Sequence, residues 1–295
     1  MKLYIIGNGF DLYHGLKTSF ADFKNFMESK DSWVVKNWQE INSIILDENW
    51  ANLEKSFEFV DYDELIEKCS CYLKGYGDDN WKDSYHHDYE YEMNNYLKLS
   101  INSNEYLEEW LDNIDLSVKP KVKLDKNSLF LTFNYTNLLE ECYGISTDKI
   151  CHIHGSYVNG NMVLGHNNLK ISKQKFIEDD QDIDVRISGG NRIINQSTQN
   201  SFKNSNKYVE ENIEFFNKIS DVTEIIIIGH SSNALSTVDR DYYCKIREIL
   251  KNKNIKVKVI YFNDSTEIYE EELKCIGFDK IEFFDYSYIN NVKNN

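Results

Sequence analysis

Leu129 to Ser156 reads LFLTFNYTNLLEECYGISTDKICHIHGS, and the fold follows from how this stretch divides. Leu129-Phe130-Leu131-Thr132-Phe133 is apolar enough for a buried strand, and Asn134-Tyr135-Thr136 is a polar turn. LLEECYGI gives a short helix, and CHIHGS a second strand that brings His154-Gly155 to its carboxyl end. In an open α/β sheet, ligands sit beyond the carboxyl ends of the strands. Asn134 and His154 are therefore expected to face one crevice.

Working outward, residues 2 to 6 (KLYII) are a first strand running into Gly7-Asn8-Gly9-Phe10-Asp11. A strand followed by Gly-x-Gly opens dinucleotide-binding units, where backbone amides approach phosphate. Leu12 stands where the usual fingerprint carries a third glycine. Glu224 to Ile228 (EIIII) has the continuous apolar character of a centre strand buried on both faces. It ends in Gly229-His230-Ser231, with Asp239 close behind. A helix to about Leu250, a strand from Lys256 to Phe262, a helix from Ser265 to Cys275 and a strand near Ile281 to Phe284 follow. This alternation predicts a Rossmann-like α/β fold, a parallel sheet with helices on both faces.

Between the first two strands the pattern is helical. Trp50, Leu53, Phe57 and Val60, then Tyr85, Tyr89, Met93 and Tyr96, recur at three- and four-residue steps. The expected division is residues 1–30 and 121–295 for the sheet domain and 31–120 for a helical insertion. Thr18 or Ser19 would cap a helix from Phe20 to Met27. Glu54 reads as a solvated helix acid. Adjacent His86 and His87 point in different directions on a helix, so they make a poor metal site. Residues 170 to 208, with Gly189-Gly190 and a Ser/Asn-rich run, suggest a mobile lid.

Composition narrows the function. A net charge of −16 over 295 residues, without a dense basic run, argues against a nucleic-acid surface. No run of about 18 apolar residues is present, so no membrane association is expected. The first strand begins at Lys2, which leaves no room for a signal peptide, and a cytoplasmic location is expected. The six cysteines then read as reduced thiols; none forms a CxxC pair, and no metal is expected.

NGFDLYHGLKTSF, NWANLE, FLTFNYTNLLE, HIHG and IIIIGHSSNALSTVDRDYY occur in that order between Met1 and about Leu250. Together they resemble the bacteriophage abortive-infection AbiH family. Beneath that lies a similarity to the sirtuin superfamily, carried by Gly7-Asn8-Gly9, Thr132 to Thr136, His154-Gly155 and Gly229-His230-Ser231. The resemblance implies an antiphage effector with a Rossmann-like NAD site, in which NAD is the substrate and Asn134 and His154 form the catalytic pair.

On that reading the first turn, Gly7 to Phe10, cradles the pyrophosphate. Asp11 bonds a ribose or shapes the nicotinamide pocket, and Thr132 and Tyr135 line the site. His230 and Ser231 contact the adenine-side ribose, and Asp239 is a helix-start or orienting residue. His152, two residues before His154, should share its face and is the rival base. Thr136 replaces the aspartate of the sirtuin block and the zinc cysteines are missing, so NAD glycohydrolysis is implied in preference to deacylation. The alternative is a nucleotide-binding sensor or scaffold without chemistry. A small-molecule nucleotide and a phage-derived trigger are the expected partners, and homo-oligomerisation is left open.

Overall fold

The computed structural model describes residues 1–44, 46–48, 50–173, 175–178, 183–261 and 266–287. Phe262 and Ser265, the expected ends of a strand and a helix, lie outside them. The chain forms two compact units, one of residues 1–19, 111–162 and 204–295, the other of residues 20–110 and 163–203.

The first unit is built on six parallel strands: β1 (Lys2–Ile6), β2 (Leu129–Thr132), β3 (Ile150–His152), β4 (Glu224–Ile228), β5 (Lys256–Tyr261) and β6 (Lys280–Asp285). Their order is β3-β2-β1-β4-β5-β6. That is the order of a dinucleotide-binding sheet, with the direction of winding reversing between β1 and β4. β1 pairs Leu3 with Leu129 on one side and Ile225 on the other.

Successive side chains of a strand point to opposite faces, and both faces here are covered. Leu3, Ile5, Leu131, Ile225, Ile227, Val257 and Val259 pack with Phe216, Tyr242, Tyr243, Ile246, Tyr269 and Leu273, which come from helices Ile213–Lys218, Arg240–Ile249 and Thr266–Ile276. Tyr4, Ile6, Phe130, Ile226 and Ile228 pack instead with Phe10, Val122, Leu124, Leu138 and Leu139. The near-continuous apolar runs of β1, β2 and β4 are what burial on both faces demands.

The second unit is helical. Its first helix, Phe20–Glu40, is two helices joined at Asp31, whose φ of −155° and ψ of 88° are not helical. The unit thus takes up the chain at residue 20, earlier than the expected boundary at 31. It also includes residues 163–203, which the sequence reading grouped with the sheet domain.

Much of the expected lid is regular structure. Helix Val185–Asn200 packs along helix Asp88–Ile101, and helix Ser205–Glu211 belongs to the first unit. Gly189 and Gly190 are what bring the two helices so close. A Cβ on Gly189 would stand 2.0 Å from Glu90 Oε1, and one on Gly190 2.4 Å from the Tyr89 ring. Ser197 and Ser100 then meet through their hydroxyls, 2.5 Å apart. Residues 174 and 179–182 of the lid lie outside the described residues. Among the described residues, no helix is long and apolar enough to cross a membrane.

Candidate functional site

The segments leaving β1, β2, β3 and β4 carry the polar residues singled out in the sequence. They assemble into two hydrogen-bonded groups.

The first group centres on Asp11, in the helix Asn8–His14 that follows β1. Its carboxylate accepts from Asn134 Nδ2 at 2.8 Å and from Thr136 Oγ1 at 2.5 Å. The turn after β2 is itself tied, since the Asn134 amide donates to Thr132 Oγ1 at 3.1 Å. Asp11 is only 1% exposed. Burial pushes its pKa up to about 7, although the hydrogen bonds from Thr136 and Asn134 and the charge of His152 pull the other way. Asn134 Oδ1 is buried and has no hydrogen-bond partner. A buried acceptor of that kind costs free energy unless a donor is brought to it.

His152 borders this group. Its Nδ1 lies 3.2 Å from the Asn134 carbonyl oxygen and its Nε2 2.9 Å from Glu140 Oε1. Burial works to raise the Glu140 pKa, but the His152 contact outweighs it and holds the carboxyl below its ordinary value.

The second group centres on Asp239. His230 Nε2 donates to Asp239 Oδ2 at 3.0 Å, and His154 Nε2 stands 3.6 Å from Asp239 Oδ1 and 3.2 Å from the Tyr242 hydroxyl. Tyr269 donates its hydroxyl to the His230 carbonyl at 3.0 Å. The Phe133 ring packs edge-on to His154 and against His230, with centroids 5.4 and 4.5 Å away. His154, His230 and Asp239 are all buried. Burial also raises the Tyr242 phenol far above its usual range.

Asn134 and His154 therefore leave adjacent segments of the sheet edge yet enter different groups. His152 and His154 part as well, contrary to the same-face expectation. β3 ends at His152, and Gly155, at a φ of 80°, turns the chain away, so the alternation of a strand no longer applies.

The glycines of the first turn are placed differently from a phosphate cradle. The Gly7 amide donates to the Ile228 carbonyl at 3.0 Å, that of Gly9 to the Gly229 carbonyl at 2.8 Å, and that of Phe10 to Gly7 at 2.9 Å. A Cβ on Gly7 would lie 2.4 Å from His230 Cα, and one on Gly229, whose φ is 65°, 2.3 Å from the Phe10 nitrogen. The two turns are thus stitched together backbone to backbone.

Other expected ligand residues have structural partners. Phe10 is fully buried against His14 and Tyr143. Exposed Asn8 donates from Nδ2 to the Thr18 carbonyl. Half-buried Tyr135 accepts the Tyr157 amide on its carbonyl. Ser231 caps helix Ser232–Ser236, its hydroxyl accepting from the Ala234 amide at 3.1 Å.

Glu140, Thr136 and Tyr242 were not anticipated as partners. Tyr242 lies three residues beyond Asp239, a spacing that puts both on one helical face and was the available signal. In the second unit, Glu54 is not the solvated acid expected. It takes the Lys203 ammonium, which is 2% exposed.

The model of the bacteriophage abortive infection AbiH family matches residues 3–261. No curated protein matches the chain.

Proposed function

We propose, from the premise that the chain belongs to the bacteriophage abortive infection AbiH family, that this abortive-infection protein hydrolyses the bond between ribose and nicotinamide in NAD. Membership carries a role in phage defence; the chemistry is our reading. The observation that carries it is Asn134. Asp11 fixes one end of its amide, and Oδ1 is left as a buried acceptor at the carboxyl end of β2. The strand order and the sirtuin-like blocks support the same choice of ligand.

Nicotinamide leaves through an oxocarbenium-like state without needing protonation, so the protein must hold the ribose, place a water and take one proton. Asn134 Oδ1 accepts from a ribose hydroxyl or the attacking water, with Asp11 and Thr136 preventing the amide from turning. His154, whose Nε2 stands 3.6 Å from Asp239 Oδ1, receives the water proton. The products are nicotinamide, ADP-ribose and that proton. The burial of both groups fits a resting form that a phage signal must open.

Purified protein, with and without extract of phage-infected cells, should release nicotinamide and ADP-ribose from NAD, and Asn134→Ala and His154→Ala should each stop it. Turnover surviving both substitutions would overturn the assignment. The same burial favours a second reading, a sensor that changes state on binding. Tight nucleotide binding without product under either condition would select it.

A further inference from the structure

A pyrophosphate is usually held by free amides at a helix N-terminus or by lysine and arginine. The site offers neither in the expected place. The Gly7, Gly9 and Phe10 amides are bonded to carbonyls of the protein. Among the described residues, no lysine or arginine forms an ion pair with Asp11 or Glu140. Asp239 is paired with His154 and His230.

What the edge of the sheet does offer suits a different part of the molecule. Asp11, Glu140 and Asp239 bring carboxylates to the ends of β1, β2 and β4, and Asn134 Oδ1 adds a buried acceptor without a partner. His230 Nδ1 is likewise buried and unpartnered. Carboxylates and a bare amide oxygen attract positive charge and hydroxyl donors and repel phosphate. The net charge of −16 adds to that preference.

Resting on the hydrolase reading, we infer that the substrate class is the cationic N-ribosyl pyridinium itself, a ribose carrying a positively charged ring. The pyrophosphate and adenosine of a dinucleotide are dispensable for recognition. Asp11 with Asn134 meets the ribose hydroxyls, and the carboxylates favour the charged ring over its neutral form. In the reaction the bond from ribose to ring nitrogen breaks and its electron pair neutralises the ring. Water then bonds to the ribose carbon and gives its proton to His154.

The test compares NAD, nicotinamide mononucleotide and nicotinamide riboside as substrates. Binding is read separately with the carbocyclic analogue of nicotinamide riboside, which cannot be cleaved, its reduced uncharged form, and ADP-ribose. We expect kcat/KM values within about tenfold of one another. The charged carbocyclic riboside should bind at least about tenfold tighter than either its reduced form or ADP-ribose.

A preference for NAD over the riboside of about a hundredfold or more would overturn the inference and leave the hydrolase reading standing. So would ADP-ribose binding as tightly as the charged analogue. Release of nicotinamide from none of the three, with selective binding of the charged analogue retained, would remove the hydrolase and keep the cation site. Loss of both turnover and selectivity would remove both.

Discussion

Two aspartates stand at the edge of the same sheet in opposite company. Asp11 is held by an amide and a hydroxyl, both neutral, and the influence of His152 joins them in working against its burial. Asp239 sits between two imidazoles. Burial is nearly complete in both cases, so partner chemistry distinguishes them. Neutral donors leave Asp11 with an uncompensated desolvation cost and a pKa of about 7. Imidazoles give Asp239 something to orient. One carboxylate is thus arranged to hold geometry and charge near neutrality, the other to set its charge between two buried imidazoles.

The strongest way to break this contrast is to exchange the charges for amides. Asp239→Asn should lower nicotinamide release by about 10³-fold, because His154 and His230 lose the charge that both imidazoles face. Asp11→Asn keeps the shape of its group and should cost only about ten- to a hundredfold. Equal losses in steady-state turnover would dissolve the distinction.

Next in size is the pH dependence of stability. The folded pKa of Asp11 lies near 7, above its ordinary value of 3.8, so the folded state binds the extra proton between these limits. Its favourable contribution is complete below about pH 4, falls as pH rises to about 7, and is flat above that. Chemical unfolding should show wild type losing stability relative to Asp11→Asn across this window. Parallel curves would refute the assignment.

Thr136→Val takes away the hydrogen bond that does most to hold the Asp11 pKa down. Unfolding measurements should show a loss of about 1–2 kcal/mol at pH 8, and the Asp11 titration followed by NMR should move upward. The smallest effect is expected at Ser231, read as a ribose ligand in the sequence and found as a helix cap. Ser231→Ala should cost about 1 kcal/mol in thermal unfolding and leave the KM for NAD unchanged. A raised KM would restore it to the binding site.

The sheet was legible because strands buried on both faces announce themselves: KLYII, LFLT and EIIII need no partner to be recognised. The second unit was harder. The run around Gly189-Gly190 has the composition of a loop, yet its small residues are those that a close helix pair requires. The same ambiguity misled at Gly7 and Gly9. Glycine after a strand serves phosphate or backbone contact equally well, and only the position of Gly229 and His230 separates the two. Glu54 was read as solvated because its counterion, Lys203, lies 149 positions away in sequence. The gathering of Asp11, Asn134, His154 and His230 at the strand ends was legible. Their sorting into two groups was not, because it depends on where β3 stops.

The seam between Gly7, Gly9 and Gly229 has a consequence for how this defence gene can vary. Any codon change that replaces one of these glycines adds at least a methyl group where a main-chain atom or Cβ already stands within 2.8 Å. No graded series of weaker alleles is then available at these three positions. Populations under phage pressure should keep all three or lose the working protein outright, while the neighbouring surface at Asn8 drifts.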